Sequence, residues 1–306
     1  MHPAYSIIFF TVSSGAGFGV LAALGLAAFL GLTPQGGLYW AGFVIGFGLS
    51  MAGLVSSTFH LGHPERAWRA LSQWRSSWLS REGVLAIVAL ALAGAFALSL
   101  LMGGQGRLLG LLTAAFSLIT VYSTSMIYAQ LKTVQRWCQP LTPVVFLCFS
   151  LAGGALIYAF LAQVFAGGAG VLPTVAALLV FLAWGAKLGW WRRGDTAPVL
   201  STPESATGLG AMGKVRMLEA PHTGGNYLLK EMGYKIGRKH QARLRQIALM
   251  LGGIVPVFAT LFASWGLWPG LFLLMAVLAF LGGLLAERWL FFAEAEHSVM
   301  TYYTRT

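Results

Sequence analysis

Gly83-Val84-Leu85-Ala86-Ile87-Val88-Ala89-Leu90-Ala91-Leu92-Ala93-Gly94-Ala95-Phe96-Ala97-Leu98-Ser99-Leu100-Leu101-Met102 is a run of twenty uncharged residues, bounded by Arg81-Glu82 before it and Gly103-Gly104-Gln105-Gly106-Arg107 after it. A helix rises about 1.5 Å per residue, so roughly 20 apolar residues cross the ~30 Å hydrocarbon core of a bilayer. An open sheet would leave backbone groups unpaired in lipid, and the run does not alternate as a barrel strand does. It reads as a membrane-spanning helix. Working outward, runs of this kind recur at about 5–32, 38–60, 82–102, 108–130, 143–166, 171–191, 246–268 and 270–292. The fold class expected is an all-α polytopic membrane protein, a single bundle of eight transmembrane helices over residues 1–306.

Composition supports that reading. Only 9% of the residues are charged and 57% are hydrophobic, against roughly 25% charged in a soluble domain. The net charge of +11 lies in loops between apolar runs, which suits anionic lipid or an attached protein and excludes nucleic acid as a partner. Cys138 and Cys148 are the only cysteines and form no C-x-x-C. The chain alone therefore holds neither an iron–sulfur cluster nor a structural zinc, although a disulfide between the two is possible. The amino terminus has no Lys/Arg before its apolar run, which is read as a retained first helix.

The connections set the topology. Thr33–Gly37 and Trp268-Pro269-Gly270 are short enough to make their flanking spans antiparallel neighbours. Gly15-x-x-x-Gly19 and Gly42-x-x-x-Gly46 are read as small-residue faces for close helix approach. Pro173 and Pro256 are read as structural interruptions of their spans. Counting from the amino terminus, the odd-numbered connections carry one basic residue, Arg107, and the even-numbered connections and tail carry the other nineteen. The positive-inside rule places both termini in the cytoplasm. The segment 192–245 is the one sizeable extramembrane piece. Its second half reads as a basic amphipathic helix, with Leu228, Leu229, Met232 and Ile236 on one face and Lys230, Lys235, Arg238, Lys239, Arg243 and Arg245 around the rest.

No Asp, Glu, Lys or Arg falls at mid-span, where a proton-coupled transporter needs one. His60 ends span two, Glu82 opens span three, Lys187 closes span six, and Glu287-Arg288 lies near the end of span eight. All belong to the cytoplasmic edge. Such a one-sided site suits a ligand with an oily tail and a polar, proton-exchanging head. The richest stretch runs from Ser56 through His60, His63, Glu65, Arg66 and Arg69 to Trp74, Trp78, Arg81 and Glu82. An imidazole can bond a quinone carbonyl and exchange protons near neutrality. Arg66 can offset developing negative charge, Glu82 can carry a proton, and Trp74 and Trp78 can stack on a ring. The plain alternative is that His, Arg and Trp are interface anchors and that Glu82 caps a helix.

His60-Leu61-Gly62-x-Pro64-x-Arg66-Ala67 followed by Leu79-Ser80-Arg81-Glu82 resembles the dimethyl sulfoxide reductase anchor-subunit family. So do the opening Met1-His2-Pro3-Ala4-Tyr5-Ser6, the stretch Glu231-Met232-Gly233 with Arg238-Lys239-His240, and the tail Glu287–Ala295 with Tyr302-Tyr303. The resemblance implies an eight-helix anchor for an iron–sulfur electron-transfer subunit and a molybdopterin catalytic subunit. It also implies a ubiquinone or menaquinone site formed by His60, Gly62, Arg66 and Glu82, with Trp74, Trp78 and Arg81 beside it, and no metal or haem in this chain. His60 and Glu82 would carry the chemistry. With cytoplasmic loops it implies sulfite oxidation coupled to quinone reduction at the inner membrane, with a quinol-oxidising reductase anchor as the runner-up. A haem b protein would need two facing His at matched depth, for which His60 and His297 are the available pair. A transporter and a purely structural anchor stay open beside these readings.

Overall fold

The computed structural model describes residues 4–59, 61–198, 202–216, 218–219 and 240–298. Within them the chain forms eight helices long and apolar enough to cross a membrane. These are α1 (Tyr5–Phe29), α2 (Gly36–Ser56), α3 (Trp78–Leu101), α4 (Arg107–Ala129), α5 (Leu141–Phe165), α6 (Leu172–Thr196), α7 (Gln241–Ser264) and α8 (Pro269–Ala293). No strand occurs among the described residues. The central helix is α1, which packs against α2, α4, α5 and α8; α3 lies outside α4, α6 bridges α5 and α7, and α7 pairs with α8. Small residues let the backbones approach at this centre. A methyl added at Gly19 would collide with the backbone of Ser150 and Gly154 on α5, and one at Gly46 would stand 2.7 Å from Leu21. Gly15 behaves differently from its sequence partner Gly19. A methyl there meets no atom of the described residues within 4 Å, because Gly15 borders an interior cavity, although its carbonyl accepts from Ser150 Oγ of α5 (2.7 Å).

Five boundaries differ by four or five residues from those expected: α2 ends at Ser56 and not at 60, α7 ends at Ser264 and not at 268, and three others move outward. Helix α3 begins at Trp78, four residues early, so Glu82 lies a full turn inside it. Helix α6 continues to Thr196 and α7 begins at Gln241, which narrows the extramembrane connection at both ends. The extensions carry charge that an apolar run would not admit, and ion pairs between them offset it (Asp195 of α6 with Arg245 of α7). Residues 228–239 of the expected amphipathic helix lie outside the described residues, and its Arg243 and Arg245 belong to α7. Pro173 does not interrupt a span; it sits in the first turn of α6, where its missing N–H costs no hydrogen bond. Pro256 does perturb one. A single wide π turn, Met250–Ile254, precedes it within α7 and accommodates the lost donor. Cys138 and Cys148 are free thiols.

Because eight spans alternate in direction, the start of α1, the α2–α3, α4–α5 and α6–α7 connections and the end of α8 share one end of the bundle. Ser56 at the close of α2 donates to the carbonyl of Ser6 at the opening of α1 (3.0 Å), and Ser298 after α8 donates to Thr133 after α4 (2.8 Å). This is the basic end. At the other end Trp40, Trp265 and Trp268 are exposed, as suits a headgroup-level aromatic belt.

Candidate functional site

The α2–α3 connection begins the site. Pro64 starts a ten-residue 3-10 helix, Pro64–Gln73, longer than such helices usually run. Leu71 leans on the first turns of α3, where a methyl on Gly83 would lie 2.7 Å from it. Arg81 fastens the junction. Its Nε donates to the Trp74 carbonyl (3.0 Å) and Nη2 to that of Arg75 (2.7 Å), and its guanidinium lies 4.4 Å from the Trp78 ring centroid. Trp78 in turn meets Tyr122 of α4 edge to face at 6.0 Å. The structure therefore brings together Trp74, Trp78 and Arg81, with Glu82 one turn after Trp78 on α3.

Glu82 is buried in this junction, with 4% of its surface exposed. It does not cap α3: no side-chain cap is formed at Ser77 and no acid lies in the first turn. Its Oε1 instead accepts from the Thr124 hydroxyl across the interface with α4. Thr124 also reaches the Thr120 carbonyl at 3.1 Å. One hydroxyl thus serves both states of the acid. It donates to an ionised Glu82, and it accepts from a protonated one while turning its own proton to Thr120. The only hydrogen-bond partner of Glu82 among the described residues is neutral. Ser80, two residues earlier, is buried, and its hydroxyl has no hydrogen-bond partner among the described residues.

Gly62 and Arg66 are placed differently. Both lie on the exposed side of the connection, and Arg66 pairs with Glu65 at 3.7 Å, which also meets His63 Nδ1 at 3.0 Å. No contact joins them to Glu82 among the described residues. An added methyl at Gly62 meets nothing among the described residues. His60 lies outside the described residues.

A second polar centre is assembled from residues that the sequence leaves far apart. Lys187 of α6 and Glu287 of α8 are both fully buried, with Nζ 2.5 Å from Oε1, and Arg288 Nε is 2.7 Å from Oε2. Aromatic faces surround both cations. Lys187 Nζ is 3.7 Å from the Trp190 ring centroid and Arg288 Cζ is 4.0 Å from that of Phe146, so cation–π attraction replaces some lost hydration. Nearer the surface Arg136 and Arg245 grip Asp195 and Glu294, at 2.6–3.0 Å. Trp137, stacked on Phe291 at 5.4 Å, packs with Tyr128, Phe146 and Phe292 around the tail of α8. The Glu287–Ala295 tail singled out in the sequence is therefore where α4, α5, α6 and α8 are locked together. A run of hydroxyls on α4 (Ser117, Thr120, Ser123, Thr124, Ser125), all buried, is the sequence signal that this helix faces polar chemistry.

Eight spans around a small-residue centre, with the buried charges among the described residues gathered at one end, define a polytopic membrane protein. The family model for the DMSO reductase anchor subunit (DmsC) matches residues 1–293, and the chain belongs to that family. It is 33% identical over 324 aligned residues to a sulfite dehydrogenase subunit of Allochromatium vinosum, with 99% of each chain covered. No solved structure matches it. The chain is thus a membrane anchor subunit of an oxidoreductase, in a family whose complexes contain catalytic and iron–sulfur partners.

Proposed function

We propose that this anchor binds ubiquinone or menaquinone at the basic end of α2 and α3 and passes electrons between an iron–sulfur subunit and the quinone pool. The observation that carries the reading is Glu82, an acid buried at the membrane edge with a neutral hydroxyl as its partner. A carboxyl so placed is in no ion pair among the described residues, and it lies one helical turn after the half-buried Trp78. A bound quinone supplies two-electron, two-proton chemistry. Within this chain Glu82 holds and delivers a proton, and Thr124 keeps it hydrogen-bonded in either state. Trp78, braced by Arg81, offers a ring edge or face to the head group, and His60 is assigned the carbonyl contact. Arg66 and Gly62 shape the exposed rim, where negative charge from an approaching partner or ligand is favoured.

The basic end is assigned to the cytoplasmic side of the inner membrane, on the strength of nineteen basic residues against one. The molybdopterin and iron–sulfur partners then dock on that side, and anionic lipids border it. The relative's name favours sulfite oxidation; with quinone as the acceptor this is preferred over a quinol-oxidising reductase anchor. The test is a complex carrying His60→Ala or Glu82→Gln, assayed with a quinone and with an artificial electron acceptor. Loss of quinone turnover with retained dye-linked activity supports the site; unchanged quinone kinetics in both variants removes it.

A further inference from the structure

A surface groove of about 420 Å³ runs between α6 and α7 at the basic end of the bundle. Its α6 wall carries Leu188, Arg192 and Thr196, which recur every fourth residue and so share one face of the helix. Arg245, Gln246 and Leu249 face them from α7. Residues four apart stand about 6 Å apart along a helix axis. Leu188 and Leu249 therefore lie that far toward the bilayer centre from Arg192 and Arg245. The headgroup layer on one side of a bilayer is roughly 5–7 Å deep. The groove thus has an oily lower end and a polar upper end, spaced as the acyl chain and headgroup of a lipid are.

Helix length agrees. The 25 residues of α6 make about 37 Å of helix against a ~30 Å core, and the surplus at the basic end holds Arg192 and Thr196. The flank around the groove is apolar and exposed, through Leu182, Ile247, Met250 and Leu251, so lipid already borders it. One residue supplies the unpaired charge. Asp195 is held between Arg245 (2.6 Å) and Arg136 (2.8 Å), and both arginines also pair with Glu294, at 2.7 and 3.0 Å. Those four groups sum to zero. Arg192 is exposed, and its guanidinium has no partner among the described residues. Gln246, exposed on the facing helix, adds an amide donor.

We propose that this groove binds one anionic phospholipid, with its phosphate held by Arg192 and Gln246 and an acyl chain lying along Leu188 and Leu249. A guanidinium offers phosphate oxygens two parallel N–H donors, and basic pockets between spans on the cytoplasmic side suit anionic headgroups. Charge selects the headgroup, because a zwitterionic lipid brings its own cation to a groove whose unpaired charge is positive. The oily end selects a lipid over free phosphate, which has nothing to place against Leu188 and Leu249. The lipid joins α6 to α7 beside the Asp195–Arg245 pair, at the mouth of the longest connection between spans. The site is separate from the Glu82 junction and does not depend on the quinone reading.

The test uses the intact complex, stripped of loosely held lipid in detergent and supplied with phosphatidylglycerol, phosphatidylcholine or inorganic phosphate. Native mass spectrometry counts retained phospholipid, and the melting temperature is followed for each addition. Arg192→Gln and Leu188→Trp are compared with the parent complex and with Arg69→Gln, an exposed basic control outside the groove. Preferential retention of phosphatidylglycerol is expected, with a rise in melting temperature for that lipid alone. Arg192→Gln is expected to weaken phosphatidylglycerol binding about five-fold, as loss of one basic residue near a membrane surface does. Leu188→Trp, which fills the lower groove, is expected to abolish it, and Arg69→Gln to leave it intact. An equal response to phosphatidylcholine or to inorganic phosphate overturns the proposal. Equal weakening by Arg192→Gln and Arg69→Gln also overturns it, by reducing the effect to general surface charge, as does undiminished binding in Leu188→Trp. Displacement of the bound phosphatidylglycerol by excess quinone gives the groove to quinone instead.

Discussion

Two acids at the same end of one bundle have been given opposite surroundings. Glu287 sits between Lys187 and Arg288, with aromatic rings packed over both cations. Glu82, almost as fully hidden, has a threonine. A buried carboxylate needs either a counter-charge or a proton. Glu287 has two counter-charges and is thereby fixed as part of the joint between α6 and α8. Among the described residues Glu82 has none in contact, so no ion pair settles its charge. Burial alone does not mark a working acid; what matters is whether its partners have already settled its charge.

Neutralising each acid in turn separates the two most strongly. Glu287→Gln strands two buried cations, and the loss is expected at about 3–5 kcal/mol, seen as a lower melting temperature and poor recovery of the complex. Glu82→Gln keeps a hydrogen-bonding partner for Thr124 and is expected to cost about 1 kcal/mol or less. Its quinone turnover is nevertheless expected to fall ~100-fold or more, with dye-linked activity intact. Equal destabilisation by the two variants would erase the distinction.

Gly19 and Gly15 give the next contrast, in packing rather than charge. Gly19→Ala forces α1 away from the Ser150–Gly154 backbone of α5, at about 1–3 kcal/mol, read as a fall in melting temperature. Gly15→Ala meets open space and is expected to leave thermal stability unchanged or raise it by up to about 1 kcal/mol through helix propensity. Arg81→Ala removes two carbonyl contacts and a cation–π contact at the α3 junction. Its effect is expected in quinone KM, raised several-fold, with less than about 2 kcal/mol of stability lost. Asp195→Asn is the mildest. Its side chain is 40% exposed, so screening holds the loss to about 1 kcal/mol, measured as a small salt-sensitive shift in melting temperature.

Apolar length alone locates all eight spans in the sequence, because hydrocarbon imposes that length on every helix crossing it. The three edges that move outward share one cause. The ends of α3, α6 and α7 carry Arg81, Asp195 and Arg245, and an apolar run stops at charge even where another helix supplies the counter-charge. The site is legible in part. Glu82, Trp78 and Arg81 stand close in sequence and remain close in space, whereas Lys187 and Glu287 are about a hundred residues apart and nothing in one sequence pairs them. Thr124 escapes a reading confined to ionisable groups, although a run of hydroxyls in a membrane helix is itself a polar face. Gly15 and Gly19 look alike in sequence because spacing reveals a shared face but not what the face meets.

Quinone is expected to meet this chain beside Glu82 and not at the charged groove between α6 and α7. Photolabelling the intact complex with an azidoquinone, followed by peptide mapping, separates the two places directly. Label is expected in the peptides spanning residues 59–82, with suppression by excess unlabelled quinone. Saturable label confined to residues 188–196 and 245–249, with none near Trp78, would contradict the assignment.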